Sequence, residues 1–119
     1  MNLPMGYNYF EIIAGEFEMT DIHFIETSGE YKKLGDSARI WSSGTWDVSL
    51  KKANSLIGGR IFLHTSQKGP SFLCGEIIDV EEATTGRVTF IFRHDRSLVN
   101  TLVGENDGNW GQEQITVNR

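Results

Sequence analysis

The sequence predicts a mainly β (α+β) fold: a small mixed or antiparallel, barrel-like sheet with one or two short helices. Three observations carry this. Residues 60–65, 71–80 and 87–93 are short runs rich in Ile, Val, Phe and Thr, types that fit a pleated, half-buried surface. Short turns separate them, Gln67-Lys68-Gly69-Pro70 and Thr84-Thr85-Gly86, so the three strands should form a meander. The chain lacks the strand–helix–strand alternation of a doubly wound sheet, and closing a sheet of short strands would protect its edges.

The remaining elements follow in order. Residues 7–14 read as a short strand before Gly15. Residues 17–27 alternate imperfectly, with Phe17, Met19, Asp21, His23 and Ile25 on one side; Thr, Ile and Phe favour a strand over a helix. Ser28-Gly29 closes that element, and Leu34-Gly35-Asp36 turns into a strand at 37–42, with Ala38, Ile40 and Ser42 on one face and Arg39 and Trp41 on the other. Ser43-Gly44 reads as a turn. Asp47 or Ser49 is placed to cap a short helix through Leu56, with Val48, Leu50, Ala53, Leu56 and Ile57 inward and Gly58-Gly59 as its stop. Residues 96–103 are a short helix or loop, 104–111 a polar loop interrupted by Trp110, and 114–117 a closing strand.

The 119 residues suit a single domain, 1–119, large enough to bury a core without covalent staples. A lone cysteine, Cys74, excludes an internal disulfide and argues against a zinc site built on thiolates, and with no leader-like N-terminus the expected location is cytoplasmic. No apolar run is long enough to cross a bilayer, so no membrane association is expected. The net charge of -5 disfavours coating a duplex, whose phosphates need a broad basic face, yet permits a local basic pocket.

Catalytic signals are absent. His23, His64 and His94 show no metal-ligand spacing, no nucleophile elbow or phosphate loop is present, and the stretch from Gly104 to Asn109 matches a calcium loop in composition alone. Neither a metal, a cofactor nor enzymatic activity is therefore expected. A composite hydrolase site would need His64 or His94 beside Glu113 or Asp36. Binding has better candidates: Trp41, Trp46 and Trp110 fall at strand ends or in loops, and each serves either as a lid on the core or as a wall for a flat ligand. In the second case Arg39, Arg60 and His64 supply polar contacts.

Leu34-Gly35-Asp36 entering a strand with Trp41, a helix, then Gly59-Arg60-Ile61-Phe62-Leu63 and Phe72-Leu73-Cys74-Gly75-Glu76-Ile77-Ile78 is similar to the PUA-like superfamily, including its EVE and ASCH branches. The resemblance covers about Gly35 to Phe92. It implies a pseudobarrel binding RNA or a modified base. The leading expectation is a non-enzymatic module that recognises a nucleobase, nucleotide or modified nucleic acid in an aromatic-lined pocket. The alternative is a small barrel for protein interaction, oligomerisation (a homodimer, for example) or small-molecule binding, with the aromatics on a dimer face or around a closed cavity.

Overall fold

The computed structural model describes residues 19–36, 39–104, 110–111 and 113–118. The expected strand at 7–14 lies outside them, as do Phe17 and the start of the strand at 37–42. Seven strands form one mixed sheet: β1 (Thr20–Ile25), β2 (Lys32–Lys33), β3 (Ile40–Trp46), β4 (Arg60–His64), β5 (Ser71–Thr84), β6 (Arg87–His94) and β7 (Gln114–Asn118), in the spatial order β2-β3-β6-β5-β4-β1-β7. Among the described residues one helix, α1 (Leu50–Ser55), and a 3-10 turn (Arg96–Leu98) complete the elements. The fold is thus mainly β, as the composition of the runs predicts. Among the described residues no helix is long and apolar enough to cross a membrane.

The meander is antiparallel throughout, β4 on β5 and β5 on β6. β5 is its pivot. Its first half pairs with β4, its second with β6, and Gly75 and Glu76 pair with both. A side chain at Gly75 would collide with the carbonyl of Arg93 on β6, so only glycine lets the two ladders overlap there. Register shifts between Ile77 and Asp79 and between Glu82 and Thr84 bend the strand, and pairing carries it to Thr84, past the expected end at Val80.

β1 is a strand, and it lies parallel to β4, with His23 beside Phe62 and Ile25 beside His64; β7 pairs antiparallel on its other side. Gly59 gives β1 its close approach to the end of α1, because a Cβ there would meet the Thr20 carbonyl. The sheet curls: the Phe24 ring of β1 stacks on Trp46 of β3, centroids 4.1 Å apart, and the Gln114 amide donates to the Asp47 carbonyl. Side chains bridge this gap, and no backbone ladder among the described residues joins β7 to β2 or β3.

Ile22, Phe24, Trp46, Leu56, Ile61, Leu63, Ile77, Val88, Phe90 and Phe92 fill the concave side. Two expectations need correction. Ser43 and Gly44 are not a turn but a bulge inside β3, where the Ser43 hydroxyl accepts from the Phe90 N–H and donates to the Gly44 carbonyl, replacing the interrupted ladder. Leu50 and Ile57 are exposed, because a six-residue helix capped by Ser49 is too short to turn a full stripe inward. Trp41 and Ser42 do face opposite sides of β3, as their alternation predicts, and it is Trp41 that packs against the core.

Candidate binding site on the outer face

Residues paired in register share a face of the sheet, which defines three rows on the convex side of β1, β4 and β5. Asp21, Arg60 and Glu76 form the first, His23, Phe62 and Cys74 the second, Ile25, His64 and Ser71 the third. The second and third rows are nearly as buried as the core proper: Phe62 is 1% exposed, His23 4% and His64 0%. β1 and β4 are therefore covered on both faces, as a parallel pair usually is, which explains the imperfect alternation of residues 17–27.

Flat groups stack here. The Arg60 guanidinium lies over the Phe62 ring at 5.4 Å, and His23 is parallel to that ring at 4.5 Å with 10° between planes. The Trp110 ring is nearly perpendicular to both imidazoles, its centroid 5.5 Å from His64 and 6.2 Å from His23. Asp21 receives two hydrogen bonds from Arg60, at 3.1 and 2.7 Å, which hold the guanidinium pKa above its usual value.

The imidazoles are hydrogen-bonded in series. His64 Nδ1 is 2.8 Å from the Gly69 carbonyl, which can only accept, so Nδ1 carries a proton. Burial lowers the His64 pKa, and in the neutral ring Nε2 is an acceptor. His23 Nδ1, 2.9 Å away, must then donate to His64 Nε2. Cys74 is buried and its thiol is pushed up to about 11, so it packs as a small apolar group rather than a nucleophile.

Three of the six residues singled out from sequence, Arg60, His64 and Trp110, meet in this cluster. The other three lie elsewhere. Trp46 is in the core on Phe24, Trp41 packs beside Tyr31 with 6.3 Å between rings, and Arg39 sits at the entrance to β3, its carbonyl accepting from the His94 N–H. Among the described residues neither the Trp41 nor the Trp46 indole N–H has a hydrogen-bond partner, although both are buried. His94 bonds the Cys74 carbonyl and stands apart from the pair. Sequence reasoning treated His23 and Phe62 as background; their importance comes from the β1–β4 pairing, which no local spacing announces.

Two further hollows lie away from this cluster. A polar groove of about 420 Å³ on β2, β3 and β6 is lined by Lys32, Ser42, Thr45, Thr89 and Ile91 among others, and a smaller one of about 210 Å³ adjoins it at Glu30 and Thr45. Glu26, beside the smaller, is buried with one carboxylate oxygen accepting from the amides of Ser28, Gly29 and Glu30 and from the Ser28 hydroxyl, so it organises its own loop. No group of three or more potential metal ligands occurs among the described residues. No family model matches this chain, and neither does any curated protein or solved structure.

Proposed function

We propose that this chain is a cytoplasmic, non-enzymatic PUA-like module that binds a nucleobase or nucleotide, free or within a modified nucleic acid, against Trp110 and Arg60, which the buried His23–His64 pair supports from beneath. The gathering of Trp110, Arg60 and His64 from distant parts of the sequence beside one stack of flat groups carries this reading. Trp110 and Arg60 are the partly exposed members and offer a flat ligand an indole ring and a guanidinium plane. The Arg60 charge is balanced by Asp21, which suits a single planar ring better than a run of phosphates. An acidic chain is compatible with that ligand, because one flipped or free base demands little phosphate neutralisation.

Isothermal titration at neutral pH with nucleosides, nucleotides and short single strands bearing unmodified or modified bases tests the reading. Binding is expected for at least one of these, and Trp110→Ala should weaken it by about 1–3 kcal/mol, the usual worth of stacking one base. Trp41→Phe, remote from the cluster, should leave the affinity unchanged. Absence of binding across the panel, or equal binding by Trp110→Ala, would overturn the proposal.

A further inference from the structure

We propose that the smaller hollow, where the end of β1 meets the bulge of β3, binds a small free amino alcohol, its ammonium group between Glu26 and Glu30 and its hydroxyl oxygen on the Trp46 indole N–H. Glu26 is 4% exposed, yet the protein uses only one of its carboxylate oxygens. Oε2 accepts from the amides of Ser28, Gly29 and Glu30 and from the Ser28 hydroxyl. Oε1 has no hydrogen-bond donor among the described residues, and it lies toward Gly44 of β3. Glu30 Oε1 does the same. A Cβ placed on Gly44 would stand 3.8 Å from the first oxygen and 3.1 Å from the second, so the two carboxylates converge over this glycine.

The wall also supplies a donor. Trp46 lines the same hollow and is 4% exposed, and its indole N–H has no acceptor among the described residues. Stacking on Phe24 holds the ring in place. A buried donor left unmet is costly, so a ligand oxygen that accepts from it is favoured. Two convergent carboxylates beside one unmet N–H are complementary to a cationic donor with a neutral acceptor a few bonds away. An amino alcohol is the simplest molecule with both.

Glu113 brings a third carboxylate to the lining, and Thr27, Ser28 and Thr45 bring hydroxyls. Among the described residues these carboxylates form no metal-ligand group, whereas about 210 Å³ admits several non-hydrogen atoms, so the hollow suits an organic cation better than a bare ion. Arg87, also in the lining, donates to the Thr45 carbonyl and hydroxyl, and neither ion pair among the described residues involves Glu26, Glu30 or Glu113. The stretches outside the described residues carry Glu11, Glu16, Glu18, Glu105 and Asp107 against one basic side chain, Arg119. The hollow shares no lining residue with the Trp110–Arg60 site, so this ligand is additional to the nucleobase.

Two-dimensional NMR of the full chain, titrated near neutral pH in an amine-free buffer, tests this with three probes of equal size: ethanolamine, n-propylamine and ethylene glycol. Ethanolamine should shift the Trp46 indole signal and the amides of Ser28, Gly29 and Gly44 to saturation. n-Propylamine lacks the oxygen and should bind about two- to tenfold more weakly, the worth of one hydrogen bond. Ethylene glycol lacks the charge and should not saturate. Glu26→Gln should weaken ethanolamine about tenfold or more, and Glu30→Gln, whose side chain is exposed, about two- to fivefold. Gly44→Ala puts a methyl where the carboxylates converge, and the group that must give way is the exposed Glu30 side chain, so the variant should fold and bind more weakly. These last two decide the matter if Glu26→Gln does not fold. Trp46→Phe should erase the preference for ethanolamine over n-propylamine, while Glu76→Gln, an equal change of charge at the Arg93 pair, should alter nothing. No saturation by either amine, equal binding of ethylene glycol, or undiminished affinity in both Glu30→Gln and Gly44→Ala would overturn the site. A preference that survives in Trp46→Phe would overturn the hydroxyl assignment and with it the amino-alcohol class.

Discussion

The two halves of the sheet are built differently. In β1, β4 and the first half of β5 both faces are buried, so Phe24, Ile61 and Leu63 pack on one side and His23, Phe62, His64 and Cys74 on the other. In β2, β3 and β6 one face carries the core residues Trp46, Val88, Phe90 and Phe92, whereas the opposite face shows Lys32, Thr45, Thr89 and Ile91 to an open polar groove. Burial on both sides lets the first half hold polar groups at low dielectric, where hydrogen-bond geometry dictates tautomer and charge. The second half cannot do this. Chemistry that depends on a fixed protonation state therefore belongs to the β1–β4 half.

Gly75 joins the halves, and replacing it has the largest expected effect. In Gly75→Ala the new methyl meets the Arg93 carbonyl and the His94 Cα, so β5 and β6 must separate where the ladders overlap. Overpacking against immovable backbone should cost about 3 kcal/mol or more in urea unfolding followed by circular dichroism. Phe62→Ala tests whether the outer face of β4 behaves as core: a loss of about 3–5 kcal/mol is expected. Ile91→Ala, on the outer face of β6, should cost about 1 kcal/mol or less, because its side chain is already partly solvated. Equal losses for Phe62→Ala and Ile91→Ala would erase the distinction between the halves.

Acid should act on the first half selectively. The folded-state pKa of His64 is lowered from 6.5, so as pH falls through 6.5 the unfolded chain takes up this proton before the folded one. Its contribution is fully present above 6.5 and declines until the folded pKa is reached. Unfolding free energy, measured at intervals between about pH 8 and about pH 5, should fall on the acid side, and His64→Gln should flatten that slope. A wild-type slope unchanged by the substitution would assign the acid sensitivity to other groups.

How much of this was legible in the sequence differs between the halves for the same reason. The β4–β5–β6 meander was readable because its neighbours in space are neighbours in sequence and Val88, Phe90 and Phe92 alternate cleanly with Thr89 and Ile91. β1 was ambiguous because burial on both faces blurs a period of two, and its parallel partner lies about forty residues away, with Ile22 on Ile61. Ser43-Gly44 resembled a turn because a bulge uses the same small, hydrogen-bonding residues. Within the site, His64 and Trp110 stood out by position at the ends of runs. Trp46 stood out equally and belongs to the core, since sequence alone does not say which strand-end ring finds Phe24 and which finds the imidazoles.

The smallest expected effects come from the charged row that crosses the halves. Two ion pairs are built into it, Asp21 with Arg60 at 2.7 Å and Glu76 with Arg93 at 3.3 Å. The first is bidentate and its carboxylate is buried, so Asp21→Asn leaves the Arg60 charge beside a neutral amide in a half-dry setting; a loss of about 1–3 kcal/mol is expected. The second is an exposed single contact between two mobile side chains, and water and salt screen it. Glu76→Gln should change the unfolding free energy by no more than about 0.5 kcal/mol, with even that difference fading in added salt. A loss at Glu76 as large as that at Asp21 would mean that the row acts as one connected network. The boundary between the protected and the open half would then lie one strand further out, at β6.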